Sequence, residues 1–181
     1  MSEARIRSYA NEKGLRAQTL ERWLRWDDGD REALFRMVSG LKIGENHQRD
    51  LMDWLDEITL RDHLSVGEIL NSKTIRDIES DPRLGRADKI KRIKDEVRRL
   101  RFPRLAQTED LIRERIRQLK LPAGISVSVP AGLEGGKLQI QLYSTTPDEL
   151  QTQLTGIREA AETDSMREIF QLLAGRAIDA S

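Results

Sequence analysis

The chain has 181 residues, enough for one fair-sized domain or two small ones, and its charged residues (34%) balance to a formal net charge of zero while aromatics make up 4%. That composition suits a helix-rich protein with a thin core and argues against a wholesale nucleic-acid coat. With no cysteine a disulfide framework, a thiol nucleophile and a zinc–thiolate site are excluded, and no apolar run approaches the ~18 residues of a membrane span, nor does a signal-peptide core open the chain. A cytoplasmic protein with no membrane partner is expected.

The first 26 residues carry six basic side chains against three acidic ones. ARIRSYANEKGLRAQTLERWLRW predicts a helix, a break at Gly14 and a second helix. Ala10, Gly14, Leu20 and Trp23 fall where a helix-turn-helix needs a small residue at the helix crossing, an unhindered turn and two packing residues on the second helix. The second helix then offers Arg16, Gln18, Thr19, Arg22 and Arg25 to a major groove: Arg and Gln read base edges through paired hydrogen bonds, while Thr and the remaining Arg hold phosphate. A purely structural hairpin closed by glycine has the same spacing, and Lys13 stands where an apolar residue is usual.

WDDGDREALFRMVSGL predicts a helix capped by Asp30, with Leu34, Met37, Val38 and Leu41 as its packing face. Asp27, Asp28 and Asp30 are not followed by the further oxygen ligands of a calcium loop and read as a negatively charged helix start. IGENHQRDLMDWLDEITLRDHL predicts an amphipathic helix with Leu51, Trp54, Leu55 and Ile58 inward. His47 and His63 have neither metal-ligand spacing nor a nucleophile beside them, so no metal and no catalytic residue is assigned. VGEILNSKTIRDIES predicts one shorter helix.

The stretch from Arg83 to Arg104 concentrates ten basic residues against three acidic ones. Ile90, Ile93, Val97 and Leu100 repeat at helical spacing and form one apolar face. Lys91, Lys94, Arg98 and Arg101 form a neighbouring stripe about 100° around the helix. Cations on such a stripe can meet phosphate without reading sequence. Alternatively, the helix is a solvated one whose arginine stems cover core edges. Phe102-Pro103 ends it.

Composition shifts there, which divides the chain into a helical, DNA-binding region over 1–104 and a second domain over 105–181. Thr108 is expected to cap TEDLIRERIRQLKL. ISVSV and LQIQLY alternate apolar and polar residues as two half-buried strands, joined by a glycine-rich connection that lacks the phosphate-loop pattern. Thr146-Pro147-Asp148-Glu149 starts a helix with Leu150, Leu154, Ile157 and Ala161 in one stripe, and Met166, Ile169, Phe170 and Leu173 mark a last helix. The fold class is α+β, mainly α: a helix-turn-helix-containing region followed by a helix-strand-strand-helix-helix domain. A lone hairpin is marginal, so a homodimer is expected, with Leu138, Ile140, Leu142, Leu150, Leu154 and Ile157 at its interface. The alternative is that this face packs within its own chain.

The order of these parts resembles the central and C-terminal regions of the ParB chromosome- and plasmid-partition family. His47, Arg49, Leu51 and Met52 are similar to that family's Gly-His-x-Arg-x-Leu-Leu segment. Gly135, Gly136, Leu138, Ile140 and Tyr143, followed by Thr146, Glu149 and Leu150, are similar to its dimerisation core. The resemblance implies DNA binding by Arg16, Gln18, Thr19 and Arg22 and dimerisation by residues 105–162. No stretch resembles the family's nucleotide-binding domain, so no nucleotide chemistry and no cofactor is implied. A nucleoid-associated DNA-binding dimer is therefore the first reading. The second is a helical adaptor that binds a protein partner through Trp23, Trp26 and Trp54 or through the basic helix. No convergent nucleophile, acid–base pair or cofactor loop supports an enzyme.

Overall fold

Gly14 turns the chain at φ +65°, in the left-handed region where an L side chain is disfavoured, and so separates α1 (Glu3–Lys13) from α2 (Ala17–Leu24). The computed structural model describes residues 3–176 and divides between Phe102 and Pro103 into two compact units. The N-terminal unit continues with α3 (Asp28–Gly40), α4 (Glu45–Asp62), α5 (Val66–Leu70), α6 (Lys73–Ser80) and α7 (Arg86–Arg101). The C-terminal unit holds α8 (Pro103–Gln118), β1 (Ile125–Ser128), β2 (Gln139–Leu142), α9 (Pro147–Ala161) and α10 (Asp164–Leu173). The fold is α+β and mainly helical, with one two-stranded antiparallel sheet.

Long apolar side chains at helical spacing build the first core. Ile6, Trp23, Leu34, Leu51, Leu55, Ile58, Ile75, Ile93 and Val97 belong to one buried cluster. Helix α4 buries one face through Leu51, Met52, Leu55 and Ile58, and α7 packs on it through Ile93 and Val97. Three local expectations are corrected. Asp27 caps α3 by accepting from the Asp30 N–H at 2.8 Å, whereas the Asp30 side chain accepts from the Gly67 N–H at 2.7 Å and ties α3 to α5. The helix expected over 66–80 is broken at Asn71 and Ser72, residue types whose side chains favour caps and turns over helix interiors. Thr108 is not a cap: α8 begins at Pro103, where proline's fixed φ suits a first helical position. The Thr108 hydroxyl donates to the Arg104 carbonyl inside that helix. The boundary therefore lies two residues before the one expected after Arg104.

In the C-terminal unit, Ile112 and Leu119 form a buried cluster with Ala160, Met166, Ile169 and Leu172, so α8 and α10 supply most of its core. The strands pair Ile125 with Leu142 and Val127 with Ile140; residues opposite each other share a face, so these four form one apolar sheet face. Helix α9 meets the sheet through a polar residue. Buried Gln153 donates to the carbonyls of Tyr143 (2.9 Å) and Ala123 (3.3 Å) and accepts from the Ser144 hydroxyl (2.6 Å). Gly124 makes that approach possible: at φ +82°, a Cβ there would lie 2.4 Å from Gln153 Nε2 and 2.5 Å from the Tyr143 oxygen. With Gln153 and Ala160 turned inward, the stripe bearing Leu150 and Leu154 is left exposed.

Candidate nucleic-acid interface

Four of the residues expected to touch DNA come together. Arg16, Gln18, Thr19 and Arg22 line one hollow of 220 Å³ with Arg49 and Met52. Helices α2 and α4 form its walls. Arg16 and Gln18 are exposed there, Arg49 is half-buried and Arg25 is exposed one turn further along the chain. Thr19 is placed differently from the expectation: it is 5% exposed, and its hydroxyl donates to Glu45 Oε1 at 3.0 Å. The Arg16 backbone N–H donates to the same oxygen at 2.8 Å. Arg16 is the N-cap of α2 and supplies no side-chain cap, so a carboxylate from α4 takes the position where the helix end favours negative charge.

That arrangement sets the Glu45 acidity. The Arg16 N–H holds its carboxyl below the ordinary glutamate value, with the Thr19 hydroxyl and the Arg16 and Arg49 charges acting in the same direction and burial opposing them. A carboxylate whose folded pKa is depressed contributes stability that is full above its unfolded value and lost as pH falls through the folded one. Glu45→Gln is therefore expected to show a smaller loss of stability than the natural chain between about pH 6 and about pH 3, measured as urea midpoints. Parallel midpoint curves for the two proteins would rule this role out.

Three of the expected contacts, Arg22, Lys94 and Arg101, are drawn to one ridge. Helix α4 presents Asp50, Asp53, Asp56 and Glu57 at helical spacing. Arg22 pairs with Asp53 and, at 2.7 Å, with Asp56. Lys94 lies 2.9 Å from Asp50, 3.2 Å from His47 Nδ1 and 5.2 Å from the centre of the Trp54 ring. Arg101 donates to Glu57 at 2.7 Å, while Arg98 is half-buried. Of the basic stripe on α7, Lys91 is exposed. Half-exposed pairs of this kind stabilise a fold by about 0–1 kcal/mol each; their larger effect is to fix which cations face inward. The acids of α4 follow from its helical spacing, but which helices they attract depends on tertiary packing. Glu45 carried no signal in the sequence.

The tryptophans are not exposed anchors. Trp23 is fully buried, Trp26 donates its Nε1–H to Asp56 at 2.8 Å, and Trp54 is half-buried. No group of three or more His, Asp or Glu side chains among the described residues is placed to hold a metal ion, and no helix among them is long and apolar enough to cross a membrane. Comparison of the chain with protein-family models, with curated proteins and with solved structures finds no match.

Proposed function

We propose that the chain is a homodimeric, non-catalytic DNA-binding protein of the partition type, acting at the nucleoid. The convergence of Arg16, Gln18 and Arg49 on one hollow, with Arg25 exposed nearby, carries the DNA part of the reading. Arginine and glutamine are the side chains suited to base edges, and arginine also to phosphate. Thr19 and Arg22 then act as supports: held by Glu45 and by Asp53 and Asp56, they fix the face that α2 turns outward. Lys94 and Arg101, bound to the acidic ridge, belong to the packing of α7 on α4.

Dimerisation is supported by an apolar layer that the unit's own core does not absorb. Ile140 (39% exposed), Leu150 (40%) and Leu154 (51%) lie outside the buried cluster of their unit. They accompany the half-buried Ile125, Val127, Leu142 and Ile157; Leu138, expected at the interface, packs against the unit's own core. A sheet of two strands also has edge positions that a second copy can pair, and a twofold contact uses the same patch on both subunits.

Fluorescence anisotropy with a labelled random-sequence duplex, titrated from low to physiological salt, tests the DNA reading. Affinity is expected to fall steeply as salt rises, with a logarithmic slope of about −0.9 per phosphate neutralised. Arg16→Ala and Arg49→Ala should each weaken binding and reduce that slope by about 1, while Lys94→Ala should leave it unchanged. Absence of binding even at low salt would overturn the proposal.

A further inference from the structure

The N-terminal unit has a second concavity that DNA binding by α2 does not use. It lies between the start of α4 and the first half of α7 and has a volume of 620 Å³, in the range of small-molecule sites. Its lining combines the apolar Trp54 and Ile90 with the exposed cations Lys42, Arg86 and Lys91, the ridge-bound Lys94, His47 and one acid, Asp95. The cations of the ridge are neutralised by α4, but Lys42, Arg86 and Lys91 make no side-chain hydrogen bond or ion pair among the described residues. Three unneutralised cations beside an apolar lining match a ligand with two negative charges at one end and an apolar body at the other.

Lys42 adds an independent observation. It follows α3 at φ +49°, where the Ile43 N–H closes back on the Val38 carbonyl at 2.9 Å and the Lys42 N–H on Ser39 at 3.3 Å. That is the helix ending in which glycine is the usual residue, because a side chain is disfavoured in the left-handed region. Strain held at a residue whose side chain lines a cleft points to use of that side chain.

We infer that this cleft binds a phosphate monoester with a flat apolar group: the phosphate between Lys42, Arg86 and Lys91, the apolar group against Trp54 and Ile90. A phosphate monoester is largely dianionic at neutral pH, which suits the three cations better than a single carboxylate does. The site is separate from the hollow lined by Arg16 and Arg49, so it stands or falls independently of the DNA reading.

Phenyl phosphate, titrated into the full chain and followed by the three indole N–H signals in a proton–nitrogen correlation spectrum, tests it. The Trp54 signal is expected to move and saturate while those of Trp23 and Trp26 stay in place, and phenol should give no saturable shift. Arg86→Ala and Lys91→Ala should each weaken binding about tenfold, the loss of one charge-assisted contact. Lys42→Gly should weaken it similarly while raising the thermal midpoint, a combination that a purely structural lysine would not give. No movement of Trp54 up to about 10 mM phenyl phosphate, or full affinity in both alanine variants, would overturn the inference.

Discussion

Leu154→Asp is expected to sediment as a monomer under conditions where the proposed homodimer of the natural chain sediments as a dimer. Leu154 is half exposed on α9 and shares its stripe with Leu150, so a carboxylate there remains hydrated in a single subunit and the far-ultraviolet circular dichroism should not change. In a twofold interface the substitution enters twice, and an unpaired charge taken out of water costs several kcal/mol. A loss of roughly 4 kcal/mol raises the dimer dissociation constant about a thousandfold. Affinity for a two-site duplex should then fall by about 10²–10⁴, because the second contact is no longer tethered to the first. An unchanged mass would place the α9 stripe outside any self-contact.

Trp23→Ala is expected to lower the stability of the N-terminal unit by about 3–5 kcal/mol, read from urea denaturation. Trp23 is fully buried between two other rings: it meets Tyr9 edge-on with centroids 6.2 Å apart and lies 28° from the plane of Phe35 at 6.4 Å. Its indole N–H has no partner among the described residues, so the loss is one of packing and Trp23→Phe should retain most of the stability. Tyr9, which donates its hydroxyl to the Val38 carbonyl at 3.2 Å, would border the resulting cavity. A loss under about 1 kcal/mol would mean that the cavity collapses without cost, contrary to the usual behaviour of close-packed cores.

Much of the fold was legible because local rules sufficed. Gly14 between two helical patterns, proline after Phe102, alternation in ISVSV and LQIQLY and the Thr146–Glu149 cap all act over a few residues, and the corresponding turn, helix end, strands and helix start are present. Charge was harder to read. Periodicity places Lys91, Lys94, Arg98 and Arg101 on one side of α7, but it cannot tell water from a neighbouring helix. The acids of α4 that hold Lys94 and Arg101 lie 44 residues away in the chain. Thr19 was misread for the same reason: its hydroxyl faces Glu45, 26 residues on. Asp30 and Thr108 were local errors, each a residue of capping type standing near a helix start that another residue governs: Asp27 for α3 and Pro103 for α8.

The dependence of α4 on α7 also has a consequence for how the protein is made. Translation delivers α4 first, with the surface that Ile93 and Val97 later cover and the carboxylates that Lys94 and Arg101 later meet all facing water. Arg61, whose guanidinium eventually donates to the Leu100 carbonyl at 2.7 Å, waits equally long. At about 5–20 residues per second, the 39 residues that separate it from Leu100 take a few seconds to synthesise. During that interval the apolar face of α4 and the row of acids beside it lack the helix that covers and pairs them in the folded unit.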